Sequence, residues 1–293
     1  MVKKILGLML ALMLLVGGAV MAEEAATITD GMGREVVLTK TPETVVSLTP
    51  ANTEILYALG LGDKVVGVDS YSNYPEEAAS NTIVGDYSGP NVELITSLKP
   101  DVVFAGNSLQ QEVIDQLTDL GMTVVCNDPT LYEDIYGGIE LIAKVMGVDA
   151  SEVTEPMRAK EEEIAAKVDG ASKVKVYFAL SFGEYGDYTC GPNTFVDSMI
   201  TMAGGENVAA DTEVSWPQYS LEQLVSKDPD VILVSGDQSM VDAFMTTETY
   251  KELRAVKEGK VFAVDADTSN RPGPRIVEAL EQIAKALHPE VFE

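Results

Sequence analysis

One histidine, two cysteines and one tryptophan in 293 residues remove most catalytic and metal-binding chemistries at once. The lone His288 leaves no His pair for zinc and no base beside a nucleophile, and its place near the end of the last helix suggests a solvent-side residue. Cys190 precedes a glycine, but without a histidine nothing evident activates it. There is no P-loop, no dinucleotide-binding glycine fingerprint and no nucleophile elbow. No metal site and no intrinsic cofactor are expected. Basic residues are also scarce: 20 against 47 acidic ones give a formal charge of −27. Nucleic acid and anionic membranes are therefore poor partners for the bulk surface, and the scattered acids read first as solubility. After residue 16 no apolar run is long enough to cross a bilayer.

The apolar run that does exist, residues 5–16, follows Lys3 and Lys4 and precedes the small residues Val20 and Ala22. This is the pattern of a secretory signal spanning residues 1–22, cleaved after Ala22. Loss of the two lysines leaves 18 basic against 47 acidic residues, a charge of −29. No cysteine follows the run, so lipid anchoring is not supported; the expectation is a soluble monomer in the periplasm or at the extracellular face. In an oxidising compartment Cys126 and Cys190 could form one disulfide, but it would tie the two halves of the chain together.

The strongest positive signal is a phrase used twice. Residues 87–103 read YSGPNVELITSLKPDVV and residues 216–232 read WPQYSLEQLVSKDPDVI. In each, an aromatic (Tyr87, Trp216) is followed six residues later by a glutamate (Glu93, Glu222). Seven residues after the glutamate comes Pro-Asp and then a β-branched run. Each copy reads as loop, short helix, turn and buried strand. A unit repeated in both halves implies two similar lobes with a cleft between them.

Elsewhere strands and helices alternate, which implies right-handed crossovers and parallel sheets. A small hairpin is expected over residues 27–40, then strands at 45–48, 65–68, 102–104 and 123–126, with helices at 54–59 and 110–120. Asn52 or Thr53 would cap the first helix. Residues 150–170 carry an apolar set (Val153, Met157, Ile164, Val168) and a charged face, hence one long amphipathic helix. The second half offers strands at 173–180, 231–234 and 261–264 and helices at 194–202 and 276–287. The fold expected is α/β: two Rossmann-like lobes, residues 23–149 and 172–293, each with a parallel sheet, joined by a connecting helix at 150–171.

Ligands of open α/β sheets bind at the carboxyl ends of the strands. The candidates there are Pro50, Ala51, Asn52, Tyr71 and Tyr87 in the first half. In the second they are Phe182, Tyr185, Trp216, Asp267, Arg271 and Arg275. The aromatics offer rigid apolar faces with polar edges, suited to a large flat ligand; the arginines could fork onto a carbonyl or carboxylate, or simply pair with one of the many acids. Glu93 and Glu222 sit in the first turns of short helices, where the dipole favours a carboxylate. Their shared offset makes them a two-point plug for arginines on a partner.

The stretches SLTPANTEILYALGLGDKVVGVDSYSNYPEEA, NVELITSLKPDVV, GGENVAADTEVSWPQYSLEQL and SNRPGPRIVEAL resemble, across residues 30–290, the substrate-binding proteins of ABC importers for iron-siderophores, haem and cobalamin. The resemblance implies a class III fold, two lobes bridged by one helix, and docking of Glu93 and Glu222 on the arginines of a permease dimer. It runs nearest to the cobalamin-binding branch. By that match Ala51, Asn52, Tyr71, Tyr87, Trp216, Asp267 and Arg271 would line a corrinoid pocket. The chain departs from that branch where Tyr87, a residue near Gly106, and Thr268 replace tryptophans, and where Ala203 and Ala284 replace a disulfide. A ferric siderophore is the alternative ligand and haem a weaker one. An exported enzyme or an adhesive protein would need a nucleophile–base pair or an anchor, and neither is visible.

Overall fold

The computed structural model describes residues 26–292, so the expected signal segment lies outside the described residues. The chain begins with an antiparallel hairpin, β1 (Ala26–Thr29) and β2 (Glu35–Leu38). Its turn is held by Asp30. That carboxylate accepts from the backbone amides of Met32, Arg34 and Cys126 and pairs with Arg34 at 2.7 Å, which staples the hairpin to the first sheet.

The first lobe contains β3 (Val45–Ser47), α1 (Pro50–Ala58), β4 (Val65–Val68), β5 (Thr82–Ile83), α2 (Val92–Leu98), β6 (Val102–Ala105), α3 (Gln111–Asp119), β7 (Val124–Cys126) and α4 (Asp134–Met146). Its five parallel strands lie in the order β5-β4-β3-β6-β7. After α5 (Ser151–Val168) the second lobe follows: β8 (Val174–Ala179), α6 (Phe195–Met202), β9 (Gly205–Asn207), α7 (Leu221–Lys227), β10 (Val231–Ser235), α8 (Gln238–Thr246), α9 (Arg254–Lys257), β11 (Val261–Val264), α10 (Ala266–Ser269) and α11 (Ile276–Leu287). Its parallel sheet has the order β11-β10-β8-β9.

The repeated phrase in the sequence is thus a repeated topology. In each lobe the first strand (β3, β8) is flanked by the second (β4, β9) on one side and by the strand after the repeat helix (β6, β10) on the other. The repeated Pro-Asp has a structural task as well. Asp101 accepts from the backbone amides of Glu43 and Thr44, and Asp230 from that of Lys175, so each carboxylate pins the entry of its lobe's first strand. Lys40 pairs with Asp101 and Arg254 with Asp230. The Lys40 ammonium is the main reason the Asp101 pKa falls to about 2.

Helix α5 runs about 27 Å at 1.5 Å per residue. Met157, Ile164 and Val168 on its apolar stripe belong to one continuous core that holds Val45, Ile55 and Phe104 of the first lobe together with Val176, Phe178 and Leu280 of the second. On its polar face Lys160 reaches Glu281 of α11 at 2.8 Å. A bridge packed into both cores couples the lobes firmly, unlike a solvated linker. Among the described residues no helix is long and apolar enough to cross a membrane.

Some expectations need correction. Helix α1 starts at Pro50, and Thr49 is its cap, accepting from the amide of Asn52. Proline is favoured in a helix's first turn, where its missing N–H is no loss, so Pro50 both ends the strand region and begins the helix. Helices α4, α8, α9 and α10 and strands β5 and β9 were not read from the sequence. Gly137 and Gly138 inside α4 are poor helix formers, yet Ile135, Ile139, Ile142 and Met146 bury one face of it and packing overrides propensity. His288 is not on the solvent side: it is 2% exposed, packed against Gly204, with Nε2 lacking a hydrogen-bond partner among the described residues. Cys126 and Cys190 are unpaired, each buried in its own lobe.

Candidate functional site

A cleft of about 470 Å³ lies between the lobes. The first lobe contributes to it from the carboxyl ends of three strands: Thr49, Pro50 and Ala51 after β3, Gly106 and Asn107 after β6, and Asn127 and Asp128 after β7. This is the place that strand-order reversal opens in a doubly wound sheet. Gly106 is required by close approach, since a Cβ there would stand 2.9 Å from the Thr49 methyl. Gln110 holds the loop, donating to the carbonyls of Leu48 and Tyr87 and accepting from the amide of Gly106.

Tyr87 is the aromatic wall on this side. Its hydroxyl donates to Asn107 Oδ1 at 2.9 Å, and burial, then the Asp128 charge, raise its pKa above the usual phenol value. Trp216 forms the opposite wall, 41% exposed and set edge-on to Phe195 at 5.9 Å. Its loop is laid down by Gly191, whose amide donates to the Ser215 carbonyl at 2.7 Å. A Cβ on Gly191 would come within 2.2 Å of the Val214 carbonyl, so no other residue fits there without moving that loop.

Arg271 also lines the cleft, but its guanidinium is committed. Nη1 donates to Glu54 Oε1 at 3.0 Å and to Asn73 Oδ1 at 2.8 Å, and Nη2 to Asp267 at 2.6 Å. Arg275 donates from Nε and Nη2 to the same Glu54, at 2.9 and 2.7 Å, and lies over the Tyr74 ring at 3.8 Å. One buried carboxylate of the first lobe therefore grips two arginines of the second.

Of the residues singled out in the sequence, Pro50, Ala51, Tyr87, Trp216 and Arg271 meet in this cleft. The others stand elsewhere. Asn52 is buried beneath it, donating to the Ala105 carbonyl and accepting from Asn127, so it positions a lining residue instead of being one. Asp267 holds Arg271. Arg275 borders a separate surface pocket with Glu54 and Tyr74. Phe182 packs edge-on against Phe244 and Tyr250 in the second lobe's core. Tyr71 and Tyr185 are 59% and 81% exposed and are not part of the cleft lining.

Sequence reasoning missed Asn107, Asn127, Asp128, Asn193 and Asn270 in the lining, and Glu54 beneath it. The first three follow strands that were read from the sequence, so the strand-end rule could have found them. Glu54 carried no signal; it looks like any helical glutamate.

Glu93 and Glu222 each occupy the second position of their helix, α2 and α7, and both are exposed. The caps are Asn91, which accepts from Leu94, and Ser220, which forms a capping box with Gln223. The two helices feed β6 and β10, equivalent strands of the two sheets, so the pair is topologically matched.

A family model described as "Periplasmic binding protein" matches residues 45–268. The chain is 37% identical over 275 residues to the uncharacterized ABC transporter substrate-binding lipoprotein YvrC of Bacillus subtilis (strain 168), covering 91% of this chain and 87% of that one. It superposes on the periplasmic vitamin B12 binding protein BtuF of Vibrio cholerae with a TM-score of 0.75 and 30% identity, covering 85% of this chain and 98% of that one. The periplasmic heme-binding protein RhuT from Roseiflexus sp. RS-1, in apo form, superposes with a TM-score of 0.76 and 27% identity, covering 85% and 99%. On these matches, this chain belongs to the periplasmic binding protein family as an ABC-transporter substrate-binding protein.

Proposed function

We propose that the cleft captures a corrinoid and that the loaded protein, an exported monomer, hands it to an ABC permease dimer. The observation that carries this is the lining: Tyr87 and Trp216 as opposed aromatic walls, with the amides of Asn107, Asn127, Asn193 and Asn270 around them. A large ligand that is flat and apolar in the middle and rimmed with amides matches that distribution, because each ligand amide can exchange hydrogen bonds with a side-chain amide while the rings cover its faces. The protein acts by holding and releasing, with no chemistry on the ligand. Cys190 is fully buried, with its thiol pKa pushed up by that burial, and His288 lies in the second lobe's packing away from the cleft.

Docking goes through Glu93 and Glu222, exposed and unpaired among the described residues. Arginines on the permease would complement one carboxylate per lobe, and a permease that holds both lobes can pull them apart.

Titration of the purified protein with cyanocobalamin, haem and ferric siderophores tests the ligand. Trp216 is the sole indole, so its fluorescence reports the cleft directly. Quenching with the corrinoid in the micromolar range or below supports the reading; quenching by haem or a siderophore alone refutes it. For docking, Glu93→Arg with Glu222→Arg should abolish uptake and leave ligand affinity unchanged. A fall in affinity would show that the two acids belong to the binding site.

A further inference from the structure

The cleft contains two charged side chains, and they are not equivalent. Arg271 is spoken for: Glu54, Asp267 and Asn73 occupy both of its terminal nitrogens, and Asp69 adds a further negative charge nearby. Asp128 stands alone. Burial raises its pKa above the usual carboxylate value, its side chain bonds to Asn107, a neutral amide, which works the other way, and no lysine or arginine among the described residues pairs with it. Every other group lining the cleft is neutral: aromatic, amide, hydroxyl, proline or backbone. The field that a bound ligand meets is therefore negative, and the formal charge of −27 over the whole chain adds to it at long range.

We propose that Asp128 sets the charge rule of the cleft, admitting neutral and cationic ligands, favouring the cation, and rejecting anionic chelates. The inference rests on the cleft being the binding site, as proposed above, and deepens it by naming the charge class of the ligand. Two consequences follow for chemistry. A ferric chelate carrying several negative charges meets no free cation to offset Asp128. Burial, and then the Asp128 charge, keep the Tyr87 hydroxyl protonated in the free cleft, so the wall that an incoming ligand meets is a neutral phenol.

Corrinoids supply a matched pair of probes. Aquocobalamin and cyanocobalamin share one framework and differ by one unit of charge, the first being a monocation and the second neutral. At a separation of about 8 Å and an effective dielectric of about 40, one unit of charge facing Asp128 is worth about 1 kcal/mol, about fivefold in Kd. At pH 6 and low salt, Trp216 quenching should therefore show aquocobalamin binding about fivefold more tightly than cyanocobalamin. The ratio should fall towards one in about 1 M salt, where the screening length is about 3 Å. Asp128→Asn should bring the two affinities together, the cation losing more than the neutral corrinoid.

Equal affinities in the wild type at low salt, or a ratio that Asp128→Asn and salt both leave unchanged, would overturn the charge rule while the corrinoid reading stood. The salt series on the wild type keeps the test valid should the variant fold poorly. If neither corrinoid binds, the corrinoid reading falls, and two ferric chelates then decide the rule: a triply negative tris-catecholate and a tris-hydroxamate bearing a free ammonium. Binding of the ammonium-bearing chelate alone supports it. Binding of the tris-catecholate overturns it, and no binding by any probe overturns it together with the cleft assignment.

Discussion

Removing the charge of Glu54 is the sharpest perturbation the structure offers. Its carboxylate accepts three hydrogen bonds from Arg271 and Arg275, and the side chains of the three residues are 2%, 11% and 17% exposed. Taking one partner from a buried ion cluster costs about 3–5 kcal/mol, because the opposite charges stay behind without compensation. Here the lower end applies. Arg271 keeps Asp267 and Asn73, Arg275 keeps the Tyr74 ring, and Glu54→Gln preserves volume and one acceptor. The expected loss is about 3 kcal/mol, which for a chain of this size is a fall of about 6–12 °C in melting temperature. Calorimetry of Glu54→Gln, Arg275→Gln and the double variant should give a coupling energy of about 2 kcal/mol. Because the cluster spans the lobes, hydrogen exchange should also quicken in α1 and in the segment between α10 and α11. A melting temperature within about 2 °C of the wild type, with coupling below about 0.5 kcal/mol, would show that the lobes are held by α5 and the shared core alone.

Three further outcomes are expected. Asp101, with its pKa near 2 because of Lys40, contributes stability that is present above its unfolded value of 3.8 and lost as pH falls through its folded value; the shift converts to about 2.5 kcal/mol, which screening around the half-exposed Lys40 reduces to about 1. Asp101→Asn should flatten acid unfolding between about pH 4 and pH 2, and an unchanged urea midpoint profile there would contradict the assignment. Both thiols should resist an aromatic disulfide reagent in the native protein and titrate as two per chain in denaturant, since burial pushes Cys126 up to about 12 and Cys190 higher still; rapid native labelling would refute this. Gly191→Ala should displace the loop that carries Trp216, shift its emission and weaken ligand binding at a stability cost of about 1–3 kcal/mol, whereas an unshifted spectrum would mean that the loop tolerates the methyl.

Most strands and the longer amphipathic helices were legible because their signals are local: strand Val261–Val264 falls where an apolar run puts it, and helix Ile276–Leu287 where an apolar stripe does. Strand β9, Gly-Glu-Asn, was not legible, since those residues have little preference for strands and the edge of the sheet imposes the conformation. The cleft was half legible: Tyr87 and Trp216 announce themselves as aromatics at repeated positions, whereas asparagines after strands look like ordinary turn residues.

By itself the sequence determined the duplicated unit, the two parallel sheets, the connecting helix and the matched glutamates at equivalent helix starts, because each rests on local periodicity or on a short phrase that recurs along the chain. Only the tertiary structure decided which charges are free. Arg271 and Arg275 read as ligand-facing until Glu54, 217 and 221 positions away in the chain, is seen to hold them both. An ion pair has no period and no propensity; its partner is chosen by where the folded backbone brings two side chains together, and that choice leaves Asp128 as the charge a ligand would meet.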